Sequence, residues 1–310
     1  MSLLPLPDLP PALVSPEGVA ALEAVAGRFV SPAGILIECP LGEAAASADL
    51  SLSFSRPPND GHAGIVSGGW PVGTEWERVR RFVDAWRDPA GPLWNEVQSL
   101  WLEFDLRQRE AAPLPNVFFG HRAGLRTRAA MLAGLDLLLD PDAASARALA
   151  SDGLAALPPA ASVLFAGVML ARRPPAIRFC VDGPPWQDAP VDLIRLARHV
   201  VVQVEAGPSA ANRVGYELYH GPRQRGRAGT WRPLLDRLVQ IGAARADRCA
   251  AALEWPGYVY DGSTDPRVVD RWINHVKVTC EAGSVVEAKV YLQFATAWEP
   301  AASDAAGPIG

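Results

Sequence analysis

Along much of this chain apolar and polar residues alternate in short runs, and the runs come in pairs separated by turn residues. Leu100, Leu102, Phe104 and Leu106 alternate with Trp101, Glu103 and Asp105, the period of two of a strand with one buried face. The clearest pair is Trp272–Cys280 and Val286–Phe294, joined by a Glu281–Ser284 turn. Alternation sends Val276, Val278, Cys280, Val290, Leu292 and Phe294 to one face. His275, Lys277, Thr279, Lys289, Tyr291 and Gln293 go to the other. Similar hairpins are predicted at Ile35–Cys39 with Leu50–Phe54, Leu100–Leu106 with Asn116–Phe119, Ser162–Leu170 with Ala176–Val181, and Val200–Glu205 with Arg213–His220.

Helical patterns separate these hairpins. They run over Pro16–Phe29, Glu75–Trp86, Gly124–Leu139, Ala143–Ala156, Val191–Arg198, Arg232–Ile241 and Ala243–Leu253. The reading is an α+β fold of about ten antiparallel strands in five hairpins alternating with helices, with no pattern that demands parallel crossovers. If the helices cover the apolar faces, the polar faces meet either solvent or one another. Two architectures follow: a closed or nearly closed barrel with helices outside and a polar interior, or an open sheet with one wet face. Residues 1–16 read as a flexible proline-rich arm, 17–300 as a single domain and 301–310 as a flexible tail.

Composition narrows the function classes. A net charge of −5 over 310 residues argues against a nucleic-acid surface. No apolar run approaches the ~20 residues of a membrane span, and prolines interrupt the N-terminus where a signal peptide would be apolar. A cytoplasmic protein is expected. The widely spaced Cys39, Cys180, Cys249 and Cys280 read as buried free thiols. His62, His121, His199, His220 and His275 lack ligand spacing, so neither metal nor cofactor is expected. Gly61–Gly73 has no P-loop ending and reads as a lid, and Ser67 is not in nucleophile-elbow spacing.

Helix–hairpin–helix units over residues 17–295 resemble the ABBA, or PT-barrel, aromatic prenyltransferases. Gly34–Ser55 and Ser162–Val181 carry the best local likeness, and Lys289-Val290-Tyr291 is similar to a Lys-x-Tyr element that the family aims into its barrel. That resemblance implies a diphosphate held by Arg178, Lys277, Lys289, Tyr291, Tyr219 and Arg213, aromatic shielding from Trp101, Tyr219 and Tyr291, and a proton acceptor at Glu38 or Glu103. A fainter resemblance, through Trp101–Asp105 and Glu287–Leu292, is to crocagin-type peptide-binding proteins of ribosomal-peptide natural-product pathways.

The same polar faces carry Glu38, Glu103, Asp105, Asp182, Glu205 and Glu217, which outnumber the cations. A mixed lining suits a zwitterionic or peptide ligand better than a diphosphate. The expectation drawn from it is therefore a binding protein that holds a precursor peptide and is able to promote its cyclisation. The alternative is a soluble ABBA-type prenyltransferase acting on a small aromatic substrate. The expected ligand contacts are Arg178, Lys277, Lys289, Tyr291, Tyr219, Trp101, Asp105 and Glu205, with Glu38, Glu103 and His275 as catalytic candidates. A homodimer is compatible with either reading.

Overall fold

The structure, a computed structural model, describes residues 6–297 apart from 31, 44–45, 56–64, 67–68, 107–112, 122–126, 140–143, 173–174, 184–188, 207–212, 222–226 and 261–267. Its order is α1 (Pro16–Ala26), β1 (Gly34–Pro40), β2 (Asp49–Ser55), α2 (Thr74–Arg87), β3 (Ser99–Phe104) and β4 (Pro115–Gly120). Then come α3 (Arg128–Leu138), α4 (Ala144–Ala156), β5 (Ser162–Met169), β6 (Ala176–Asp182), α5 (Val191–Ile194), β7 (His199–Ala206) and β8 (Arg213–Tyr219). The chain continues through α6 (Ala228–Gln240), α7 (Ala246–Glu254), β9 (Gly257–Tyr260), β10 (Val268–Glu281) and β11 (Ser284–Ala297).

Strands β1 to β8 pair in sequence order, β8 pairs with β10, β10 with β11, and β11 returns to β1. The result is a closed ten-stranded antiparallel barrel in an α+β, PT-barrel-like fold, which settles the choice against an open sheet. Closure leaves those ten strands without a free edge. β9 stands outside the ring, paired with the first part of β10.

Binary patterning explains why the helices lie outside. On α2, Trp76, Val79, Phe82, Val83 and Trp86 form one buried stripe at helical spacing, and the Trp86 indole donates to the Val97 carbonyl at 2.9 Å. Trp231, Leu234, Leu235 and Leu238 do the same on α6. These stripes meet the outward strand residues Ile37, Leu52, Leu102, Val117, Phe179, Val276 and Leu292 in one continuous core. Burying such side chains contributes roughly 1.5–3 kcal/mol each. Helix starts follow local chemistry: Ser15 caps α1 by accepting from Gly18 N at 3.1 Å, with Pro16 in the first turn.

Three expectations change. The arm ahead of α1 is packed over its second half, because Leu9, Leu13 and Val14 are apolar enough to join the core, and buried Arg248 donates to the Leu13 carbonyl at 3.1 Å. The helix expected over Val191–Arg198 is only the short α5. Strand β9 went unread, since its four residues follow a helix and offer too short a run. The lid expected at Gly61–Gly73 falls partly outside the described residues; within them, Ile65 is buried and Val66 bridges to Phe29. The tail from residue 298 also lies outside them. All four cysteines are free and buried.

Candidate functional site in the barrel lumen

Connections sort by end. The turns of the five hairpins gather at one end of the barrel, and all crossovers through helices gather at the other, as the antiparallel strand order requires. Inward residues form ribs across neighbouring strands. One rib reads His199, Tyr219, His275, Tyr291, Glu38 and Asp49 across β7, β8, β10, β11, β1 and β2. The next carries Glu217, Lys277 and Lys289 on adjacent strands. A third continues through Gly215, Thr279 and Glu287.

A β-bulge fixes this phase. Two residues of β10, Ile273 and Asn274, occupy the register step between the pairs Trp272–Gln293 and His275–Tyr291. Both Trp272 and His275 therefore face inward although two residues lie between them, where strict alternation would allow only one or three. The Asn274 side chain holds the bulge by donating to Gln293 Oε1 at 2.5 Å and lying 2.7 Å from His275 Nδ1.

The opposite wall is apolar. Phe118, Leu164, Met169, Cys180 and Val201 cluster inside the barrel with Trp101, Phe165, Ala176 and Tyr219. Gly167 makes this wall possible, since a Cβ there would lie 2.3 Å from Phe118 Cδ1. Gly167→Ala is accordingly expected to displace the Phe118 ring and cost about 1–3 kcal/mol of stability, measurable by urea unfolding. An unchanged midpoint would mean that the ring moves freely.

Most inward acids already have partners. Glu38 accepts from Lys289 Nζ at 2.6 Å and from the Tyr291 hydroxyl. Burial opposes its charge, but the fields of Lys289 and Lys277 and these hydrogen bonds hold the carboxyl down at about 2. Glu205 binds Arg178 at 2.6 Å and Arg172 at 2.6 Å. Glu217 accepts from Gln203 and from Tyr219 at 2.6 Å. Glu287 lies 3.2 Å from Lys289 and 3.5 Å from Arg213.

Two charged groups differ from these. Lys277 and Glu103 have no hydrogen-bond or ion-pair partner among the described residues. Lys277 lies across Gly215, where a Cβ would come within 3.3 Å of its Cε. Burial lowers its pKa, and repulsion from Arg178 adds to the effect. Glu103 is raised to about 7 by burial and by the charge of Glu38. His275 is sandwiched, 3.9 Å from the Tyr291 ring and 4.8 Å from that of Tyr219. Burial pushes it down to about 4, so it is neutral at pH 7, and its buried Nε2 has no partner among the described residues.

Glu103 gives the barrel a pH dependence. Its folded value lies above the ordinary 4.5, so the folded protein keeps a proton that the unfolded chain loses between 4.5 and about 7. Stability from this group is full below that window and falls as pH rises through it. Glu103→Gln should therefore stabilise the protein more at about pH 8 than at about pH 5. Urea unfolding at the two values checks this, and equal effects at both would place Glu103 in bulk-like water.

The structure thus places Glu38, Glu103, His275, Arg178, Lys277, Lys289, Tyr291, Tyr219, Trp101 and Glu205 on the inward face. Asp105 falls one residue past β3 at the hairpin end, outside the ring. Asp182 is exposed at the crossover end and Arg213 is exposed at the hairpin rim. Sequence reasoning missed Gln203, Glu287 and Phe118, although the phase of their strands could have found them. Among the described residues no group of three or more His, Cys, Asp or Glu could hold a metal, and no helix is long and apolar enough to cross a membrane.

The class that this architecture defines is a PT-barrel-like protein. No family model matches the chain, and no curated protein matches it by sequence. Among solved structures it is similar to a 5-dimethylallyltryptophan synthase from Streptomyces coelicolor, at 15% identity and a TM-score of 0.48, covering 92% of this chain and 93% of that one. It is also similar to the prenyltransferase PriB in its complex with product diphosphate, at 15% identity and a TM-score of 0.47 over 91% of each chain. AnaPT from Neosartorya fischeri matches at 13% identity and a TM-score of 0.43, over 85% of this chain and 78% of that one. The crocagin-type likeness receives no support from these matches.

Proposed function

We propose that the lumen is an aromatic prenyltransferase site, in which an allylic diphosphate meets a small aromatic acceptor. The observation that carries this reading is the division of the lumen. An apolar wall of Phe118, Met169, Val201 and their neighbours faces a polar wall on which one of two lysines, Lys277, has no hydrogen-bond or ion-pair partner among the described residues. The acids that had argued for a peptide ligand are largely held by internal donors, so their number is a poor measure of the charge a ligand meets.

In this reading Lys277 receives the diphosphate, with Arg178 near enough for its charge to influence Lys277. The allylic C–O bond breaks and its electron pair leaves with the diphosphate. The Tyr219–His275–Tyr291 rib presents ring faces to the resulting cation. Neutral His275 adds no repelling charge there. An aromatic carbon of the acceptor gives its π pair to form the new C–C bond, and the ring proton passes to Glu103. A carboxyl with a pKa of about 7 suits a group that must take a proton near neutrality and release it again.

Incubation with dimethylallyl diphosphate and L-tryptophan tests this, read by mass spectrometry and by diphosphate release. A prenylated acceptor supports transfer. Neither product nor calorimetric binding of the diphosphate would sink it. A second reading, a chamber that holds a peptide without transfer, is favoured by one observation: the lysine next to Lys277, Lys289, is already engaged by Glu38 and Glu287. One open lysine suits a carboxylate. Binding of a peptide carboxylate without any binding of the diphosphate would select that second reading.

A further inference from the structure

Of the 29 lysines and arginines in the chain only two are lysines, and both stand inside the barrel on adjacent strands. The difference matters chemically. A guanidinium stays charged under all ordinary conditions, whereas a lysine amine can shed its proton and act as a nucleophile. The two lysines have opposite surroundings. Lys289 is buried and bound to Glu38 at 2.6 Å and to Glu287 at 3.2 Å. Lys277 is only half-buried and has no hydrogen-bond or ion-pair partner among the described residues.

The fold withholds a partner from Lys277 although acids surround it. Its register partner on β8 is Glu217, but that carboxylate accepts from Gln203 and from the Tyr219 hydroxyl at 2.6 Å. Glu38 on β1 is taken by Lys289 and Tyr291, and Glu287 on β11 by Lys289 and Thr279. Glu103 on β3 is raised to about 7 by burial and by Glu38, and so carries only part of a charge at neutrality. Burial lowers the pKa of Lys277, and the charges of Arg178 on β6 and Lys289 on β11 push the same way against the pull of Glu38 and Glu217. His275, neutral at pH 7, and Cys180, kept a thiol by burial, add no charge.

What lies beside the amine is room and apolar surface. The side chain crosses Gly215, where a Cβ would come within 3.3 Å of Lys277 Cε. Past Glu217, the next inward residue is Val201 on β7, part of the cluster with Phe118, Leu164 and Met169. We propose that Lys277 captures aldehydes or ketones bearing an aromatic or apolar group, as a Schiff base within the lumen. The nitrogen lone pair attacks the carbonyl carbon, and the π pair moves to oxygen. The carbinolamine then loses that oxygen as water, together with the two amine protons, and a C=N bond remains. No oxidant or further reactant is required. This activity stands apart from prenyl transfer, since it uses the neutral amine and a different substrate.

The probe is benzaldehyde with sodium cyanoborohydride, whose hydride reduces the imine to a stable benzylamine. Peptide mapping by mass spectrometry reads which amine carries the benzyl group. At about pH 7 the native protein should be benzylated at Lys277 about tenfold or more faster than Nα-acetyllysine amide in solution, with Lys289 unmodified. In guanidinium chloride both lysines should react like that free amine. Raising the pH from about 7 to about 9 should speed Lys277 less than the free amine, because more of Lys277 is already neutral. Lys277→Arg keeps a cation in the lumen and should leave no lumenal label, with its fold checked by urea unfolding. Benzylation of Lys277 no faster than the free amine, a pH profile matching it, or equal labelling of Lys289 overturns the inference and leaves the prenyl-transfer reading intact. A protein that forms the imine but binds no dimethylallyl diphosphate keeps the inference and removes the transfer reading.

Discussion

Replacing Lys289 by alanine is expected to lower the unfolding free energy by about 3–5 kcal/mol, the usual cost of stranding a buried charge. The side chains of Glu38 and Lys289 are each only 11% exposed, with 2.6 Å between charged atoms. Without the ammonium, Glu38 keeps the Tyr291 hydroxyl but loses the largest attraction offsetting its burial. The depressed carboxyl contributes stability that is present above its ordinary value of 4.5 and is lost as pH falls toward about 2. The gap between wild type and Lys289→Ala should therefore narrow over that acidic window. The double variant Glu38→Leu/Lys289→Met should recover most of the loss, because a buried pair is often worth little more than apolar residues of the same volume. Urea unfolding of the three proteins at neutral and acidic pH decides the matter. A loss under about 1 kcal/mol would mean that the pair behaves as a solvated surface bridge.

Lys277→Met should have the opposite profile. Its ammonium is desolvated and has no hydrogen-bond or ion-pair partner among the described residues, and its removal relieves repulsion with Arg178 and Lys289. The variant is expected to unfold at a urea concentration no lower than that of wild type. Affinity for dimethylallyl diphosphate should nevertheless fall by about 10- to 100-fold, the loss of a charge-assisted hydrogen bond of roughly 1.5–3 kcal/mol. Calorimetry beside urea unfolding separates the two effects. A variant that binds as before would move the anion site elsewhere in the lumen, and one that unfolds easily would mean that Lys277 has a structural partner. On the proposed reading, adjacent lysines on β10 and β11 serve different ends, one holding the wall and one receiving the ligand.

Much of this was legible in the chain. Period-two runs located the ten ring strands to within a few residues, because each strand has one face against helices and one against a polar lumen. The same alternation put Lys277, Lys289, Tyr291, Arg178 and Glu205 inside. What alternation cannot convey is pairing across strands. It counts Glu38, Glu205 and Glu217 on the polar faces but cannot name their partners, whereas neighbours neutralise or hydrogen-bond each of them. Nor could it separate Lys277 from Lys289, which have the same flanking pattern and differ in who faces them. Strand β9 and the bulge at Asn274 escaped for a related reason. Each depends on the strand beside it and has almost no local signature.

Closure also orders events in time. The barrel seam joins Leu36 to Gln293 and Glu38 to Tyr291, partners separated by some of the longest loops in the chain. Contacts of such separation are slow to form, since loop entropy is lost before the contact is gained. During synthesis β1 must wait for β11, so the edges of β1 and of the growing sheet stay exposed until the last hairpin arrives. The Glu38–Lys289 bond spans that seam. The candidate site is therefore absent from every shorter nascent chain, and ligand binding reports on completed folding.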